Sequence, residues 1–464
     1  MLETRARQHA RALRGTRHGN DHRNRTHARE TPPSARARLR ACDRGRGGDR
    51  RGHHANAGRG ARCLAGGGTG AAPLGPRRRS LHAGRNTASE LATSVPKAGG
   101  LFVPVRLAFG NAIGLLAGWT DWLSYVAGAA MLAVVSAEFF ALLVPAANDH
   151  IAITATGVAL GSMLLNYFGV KEGAAFQLIG SLLKASFLFA IIAIIFLVEP
   201  TKPAAPQSTL TETVEPLGLF AIVAAYQLVY GAFAGWTAPV NFSEEDVNTS
   251  RNLPRGLFLS LLTITGVYFL VNASLLSALP VEQMRASELP VAVALENIFG
   301  ATGGKIVAGG ALLLAASCMN SSVMVMPRII YGLGRDGLFP NVVTKVNRGG
   351  TPHVALLCSM ALMIALVFTG GFDFLFRLMG ALTILILVLY QASLFGLRRK
   401  FPNLERPYRA RLYPWLPAAV LVLDAVLLVL FVTSDFFGGA VMLGLVAICL
   451  PIGHYLARER GKAS

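Results

Sequence analysis

From about residue 112 to residue 456, long apolar runs alternate with short polar ones. The runs are about 20 residues long, enough for a helix to cross a bilayer. Ten of them read as spans, at roughly 112–144, 151–169, 175–198, 217–241, 254–279, 304–332, 352–369, 374–397, 413–433 and 436–456. The first carries Asp121 near its start, which places part of that run in the membrane interface. Residues 1–88 show the opposite pattern. Arg, Ala, Gly and His follow one another quickly, with no apolar run and no helical period. Such a segment buries too little surface to fold alone. The pattern therefore divides the chain into a disordered segment (1–88), a transmembrane domain (89–456) and a short tail (457–464).

One run is interrupted. Gly231, Gly235 and Pro239 fall in the last part of 217–241, which passes directly into a polar stretch from Asn241 to Arg255. Gly and Pro loosen a helix and free backbone amides and carbonyls. In a bilayer, free peptide groups are tolerated only where they meet protein or line a cavity. Transporters hold polar substrates at such breaks. The alternative is a packing face, because Gly231 and Gly235 are four residues apart and would let another helix approach closely.

Composition agrees with a polytopic membrane protein. Hydrophobic residues make up 53% of the chain and charged residues 15%, against about 25% charged in a soluble globular protein. The net charge of +19 misleads, because +16 of it lies in residues 1–88, which hold 21 Arg and no Lys. A nucleic-acid or headgroup-binding arm and a targeting peptide are two readings of that segment. The reading favoured here is translation of a GC-rich gene in the wrong frame, so no nucleic-acid partner is expected. The five Cys (Cys42, Cys63, Cys318, Cys358, Cys449) have no paired spacing and read as small core residues rather than metal ligands or disulfides. Lys and Arg gather in alternate loops, the last of them after the final span. By the positive-inside rule these loops and the C-terminus are cytoplasmic, and 199–216 and 280–303 are external.

The polar stretch after the break carries a family resemblance. Gly235-Trp236, Asn241-Phe242, Glu244-Glu245 and Arg251-Asn252-Leu253-Pro254-Arg255 resemble the amino acid–polyamine–organocation superfamily, in its L-type amino acid transporter branch. Ser89-Glu90-Leu91, Pro96, Gly99-Gly100 and Phe102 resemble the end of the family's second helix, and Arg106–Gly110 the amphipathic linker that follows. Tyr331–Pro340 resembles the end of the family's eighth helix, and Leu397–Pro414 its basic loop after helix ten. The resemblance implies an all-α transporter of two inverted five-helix repeats plus two further helices (the LeuT-type fold), with family helices three to twelve present. Helix one and most of helix two are missing from this sequence.

The resemblance also implies a site. In family members the carbonyls around the break receive the substrate's ammonium. The matching positions are Gly231, Ala232, Phe233, Ala234, Gly235 and Trp236, with Phe233 and Trp236 as walls. The family's gate aromatic is Gly231 here, with Tyr230 adjacent. Lys184 sits mid-way along an apolar run, too deep to snorkel easily. A lysine so placed resembles the one whose ammonium replaces a bound cation in sodium-independent members. Ser321 and Ser322 are candidate partners for it. Glu244 and Glu245, with Arg251 and Arg255, read as an inner gate latch or as a solvated charge run.

No metal or cofactor is expected, and no enzyme. Covalent chemistry would need converging His, Asp or Cys at membrane depth, whereas His150, His353 and His454 lie far apart near helix ends. The expected activity is secondary transport of amino acids across the plasma membrane by alternating access. Neutral amino acids are favoured because the broken segment carries no acid, and exchange is common in this branch. A disulfide-linked heavy chain is not expected, for want of a Cys in an external loop. The alternatives are a non-transporting scaffold or sensor and a polyamine or cationic amino acid carrier. Because helix one supplies half the family's site, the 464-residue product is expected not to transport, and a frame-corrected gene to do so.

Overall fold

The computed structural model describes residues 74–95, 97, 99–198, 225, 229, 231–233, 235–245, 248–287, 289–449 and 451–453, with backbone alone at 74–83, 170–172, 174, 244–245 and 434. The described residues are helical throughout, with no strand. In chain order the α-helices are α1 (Leu74–Ser94), α2 (Phe102–Phe109), α3 (Asn111–Leu143), α4 (Ile151–Phe168), α5 (Val170–Leu197), α6 (Thr249–Ala278), α7 (Val281–Ala286), α8 (Pro290–Phe299), α9 (Ala301–Arg335), α10 (His353–Val367), α11 (Phe372–Lys400), α12 (Trp415–Ser434) and α13 (Phe436–Ala447).

Among the described residues eight helices are long and apolar enough to span a membrane. The sequence pattern gave ten, and the two differences have separate causes. The run at 217–241 lies mostly outside the described residues. The run at 352–369 forms only the 15-residue α10. At 1.5 Å per residue α10 is about 22 Å long, short of a hydrocarbon core of about 30 Å.

Two boundaries also move. The helix that the sequence reading starts at residue 89 begins at Leu74, and Arg85 to Thr87 are buried. The expected external loop 280–303 contains α7 and α8. Their residues Met284, Val291, Leu295 and Ile298 pack in a satellite core with Leu188 and Ile192 of α5 and Val271 and Leu275 of α6.

The centre of the bundle is α3, which packs most extensively against α9 and α11. It is buried along most of its length. Small residues such as Ala127, Gly128, Ala129, Ala130 and Ala133 let its neighbours come close on several faces. Its tryptophans fix its position: Trp119 Nε1 donates to the Leu445 carbonyl at 2.8 Å, and Trp122 Nε1 to Ser359 Oγ on α10 at 2.8 Å.

The turn before α2 depends on glycine. Gly100 has φ +66°, and a Cβ there would land on the Oδ1 of Asn241. The Gly-Gly and Asn-Phe motifs, distant in sequence, thus meet in space. Gly100→Ala should be poorly tolerated because the left-handed conformation costs an L-residue about 1–2 kcal/mol before the clash is counted. Thermal unfolding of the purified variant checks this; an unchanged midpoint would show that Asn241 simply moves aside.

Candidate functional site

The chain breaks helically where Gly and Pro predict it. Gly231 and Ala232 are helical, Phe233 and Gly235–Thr237 form a turn, and a 3-10 helix covers Ala238–Glu245. Gly235 provides the reversal with φ +87°. Several freed carbonyls already have partners. Tyr268 of α6 donates its hydroxyl to the Ala232 carbonyl at 2.5 Å, and the Gly235 and Thr237 carbonyls accept from the amides of Ala238 and Val240.

Beside the break lies a narrow cavity, partly open to solvent. Gly235 and Thr237 line one side of it, and Asp121, Ser124, Tyr125 and Gly128 of α3 another. Ser322 comes from α9. Leu101, Met379, Ile386 and Leu387 make an apolar portion, interrupted by the hydroxyl of Thr383. Tyr125 Oη and Thr237 Oγ1 are 3.5 Å apart, which ties α3 to the break. This mixture of an apolar lining with a few polar groups suits a small amphiphilic solute.

The expected site residues are distributed unevenly around this space. Gly235 lines the cavity. Gly231 sits against the ring of Phe376, which occupies the volume a side chain at 231 would need. Phe233 packs edge-on to Tyr268 with ring centroids 5.0 Å apart. Trp236 is buried with the Arg85 guanidinium 5.5 Å over its ring. Tyr230 and Ala234 lie outside the described residues, as do the side chains of Glu244 and Glu245. Arg251 and Arg255 are exposed at the start of α6.

Asp121 is a cavity residue that the sequence reading did not place in the site. It is 1% exposed, in the interior of the bundle, because α3 is covered by α9 and α11 along that face. An acid with apolar residues on both sides was the available signal. Asp424 lies mid-way along α12 and accepts from Gln391 Nε2 at 2.5 Å.

Lys184 lies on α5, 3% exposed, and donates to Cys318 Sγ on α9 at 3.4 Å. Next to it a buried amide cluster joins three helices. Gln177 of α5 donates to the Ser317 carbonyl (3.0 Å) and to Ser321 Oγ (3.2 Å), and accepts from Asn320 Nδ2. Asn320 Oδ1 accepts from Asn166 (2.7 Å) and Ser162 (3.3 Å) of α4. Ser322, one residue on, faces the cavity instead.

A second charged assembly stands at the basic end of α11. Glu90 of α1 is 1% exposed and accepts two hydrogen bonds from Arg398 (2.9 and 2.6 Å), a contact from Arg406 (3.3 Å) and the Ala410 amide (2.6 Å). One turn earlier, Asn86 binds both backbone groups of Arg411 and accepts from the Tyr408 hydroxyl at 2.8 Å. Burial raises the Tyr408 phenol above its usual pKa, with Arg411 opposing and Glu90 reinforcing the shift. The hydroxyl therefore remains a donor at neutral pH. The loop 401–414 is thus clamped to α1 by residues of which the sequence reading noted family likeness alone.

A family model described as amino acid permease matches residues 81–449. The chain belongs to the amino acid permease family. The match takes in α3, the break, α9 and α11, and so every wall of the cavity. The permease is 26% identical over 359 residues to the branched-chain amino acid permease BcaP of Bacillus subtilis, covering 72% of this chain and 74% of that one. It is 24% identical over 394 residues to the serine/threonine exchanger SteT of the same organism, covering 82% and 86%. With the human cystine/glutamate transporter it shares 25% identity over 346 residues, covering 70% and 66%. These relatives are transporters, so the permease is a multi-pass membrane protein of a transport family and not an enzyme.

Proposed function

We propose that this permease carries neutral amino acids across the plasma membrane by alternating access, with the cavity beside the 233–237 turn as the substrate site. The observation that carries the reading is the coincidence of a helix break with a cavity of mixed polar and apolar lining within the family match. The apolar residues Leu101, Met379, Ile386 and Leu387 would receive an aliphatic side chain, and Ser124, Thr237, Ser322 and Thr383 the polar end. Relatives named for branched-chain amino acids and for serine and threonine are in keeping with that lining. Lys184 would act as a fixed cation holding α5 to α9, with Ser321 in the adjoining cluster. The basic loop between α11 and α12 and the C-terminus would face the cytoplasm.

Against the expectation from the sequence that the 464-residue product is inactive, reconstituted full-length protein should exchange internal leucine or serine for the labelled amino acid, with other neutral amino acids competing. Thr383→Trp, which puts a ring into the cavity, should abolish that flux while the protein stays monodisperse. Exchange that survives the tryptophan would place the substrate elsewhere. No exchange of any neutral amino acid by the unmodified protein would sink the reading.

A further inference from the structure

We propose that the loop between α11 and α12 is a preformed seat for anionic lipid, in which Arg399, Arg409 and Arg411 bind headgroup phosphates while Leu412 and Trp415 enter the bilayer beside them. Such a seat requires only that the chain lie in a membrane, and does not depend on which solute is carried.

Residues 398–415 hold Arg398, Arg399, Lys400, Arg406, Arg409 and Arg411 against a single acid, Glu405. These cations divide into two sets. Arg398 and Arg406 are used within the protein. Both reach Glu90; Arg398 also lies 3.7 Å over the Tyr413 ring, and Arg406 donates to the carbonyls of Phe401, Pro402 and Leu404. Lys400 donates to the Leu107 carbonyl of α2 at 3.3 Å. Arg399, Arg409 and Arg411 are exposed, and their side chains have no hydrogen bond or ion pair among the described residues.

The backbone that presents them is fixed. Glu90 holds the Ala410 amide at 2.6 Å, and Asn86 holds both backbone groups of Arg411 at 3.0 Å. On the other side the Leu416 amide donates to the Leu412 carbonyl at 3.0 Å, which opens α12. Leu412 is therefore pinned from both directions, and it is pinned in the left-handed region at φ +55°. That conformation is unfavourable for any residue with a Cβ. Backbone strain enforced by its surroundings is a pointer to function. Its outcome here is exposure: Leu412 is 74% exposed and Trp415 81%, while Tyr413 between them packs on Phe395.

Position selects the partner. Trp415 is the first residue of the apolar span Trp415–Thr433, and Arg399 the last but one of the span Phe372–Lys400. The free arginines and Leu412 thus stand where headgroups meet the hydrocarbon edge. Tryptophan favours that depth. Basic residues clustered beside a span attract anionic lipid, and the cytoplasmic leaflet, where the proposed orientation puts this loop, is the anionic one. Guanidinium groups match phosphate with paired N–H donors. A soluble acidic partner would account for the cations but not for Leu412 and Trp415 at the edge of a span.

The test uses full-length protein in detergent, with phosphatidylglycerol, phosphatidylcholine of the same chains, or inorganic phosphate added. Native mass spectrometry counts the lipid retained, and trypsin probes the loop. Phosphatidylglycerol should be retained and should slow cleavage after Arg409 and Arg411. Phosphatidylcholine and phosphate should do neither. Changing Arg399, Arg409 or Arg411 to Gln should weaken retention about fivefold each, and the triple variant should weaken it about a hundredfold. Lys345→Gln with Arg348→Gln, exposed on the loop between α9 and α10, should leave it unchanged. Leu412→Gly relieves the backbone, so it should melt no lower than the unmodified protein and yet retain several-fold less phosphatidylglycerol. Full retention by the triple variant overturns the proposal. So does an equal fall in the Lys345 and Arg348 variant, which would mean diffuse attraction to every basic loop. Protection by phosphate alone would make the arginines a free-anion site, and full retention by Leu412→Gly would make its exposed side chain incidental; either overturns the lipid seat. None of these readouts involves transport, so a failure of the carrier reading leaves them intact.

Discussion

Glu90→Ala should lower the stability of the folded protein by about 3–5 kcal/mol, the cost typical of removing one partner from a buried ion pair. The size follows from what is left behind. Arg398 and Arg406 would keep their positive charges in a region from which Glu90 excludes water, with side chains only 21% and 10% exposed. The Ala410 amide would lose its acceptor as well. Surface ion pairs contribute about 1 kcal/mol or less, so a small effect would mean that the loop moves aside and rehydrates its arginines. Glu90→Gln separates charge from hydrogen bonding: it keeps an acceptor for the Ala410 amide and leaves the arginines unneutralised. Its unfolding midpoint should fall between those of Glu90→Ala and the unmodified protein. Tryptic cleavage within 401–414 should accelerate in both variants. Melting curves that overlay the unmodified protein would show that the clamp contributes nothing.

Asn320→Ala should be the second most damaging single change, by about 2 kcal/mol. Asn320 is 0% exposed and joins α9 to α4 and α5. Its removal strands Gln177 Oε1 and Ser162 Oγ and leaves Asn166 Nδ2 only its bond to the Ser162 carbonyl. Hydrogen bonds between membrane helices average only about 0.6 kcal/mol in mutant cycles, because the unfolded helices find other partners in the membrane. Three broken contacts at that value give about 2 kcal/mol, and full desolvation penalties would exceed it. Melting curves of Asn320→Ala, Gln177→Ala and the double variant form a cycle that isolates the coupling. Strict additivity would show that the two amides act independently.

Residue by residue, the sequence was informative where the cause is local. Gly235 marked the turn because its positive φ is a conformation that favours glycine. The motif from Trp236 to Arg255 led to the correct family. Lys184 stood out because an ammonium in an apolar run is visible without coordinates, although its contact with Cys318 was not. The burial of Asp121 was not legible. Its depth depends on which helices cover α3, and nothing within 111–143 specifies that. The function expected of Phe233 and Trp236 came from likeness, while the structure gives them Tyr268 and Arg85 as neighbours.

What the sequence determined unaided is eight helices long and apolar enough to cross a bilayer, and where one further run breaks. A membrane helix must close its own backbone hydrogen bonds, so length, apolarity and the Gly and Pro positions suffice. Tertiary structure alone decided that Asp121 on α3 shares a cavity with that break, and that Glu90 meets arginines some 308 residues further on. Such meetings depend on which faces of separate helices pack together. In lipid, where apolar surface does not by itself distinguish one helix face from another, close packing of small residues and rare polar contacts make that choice.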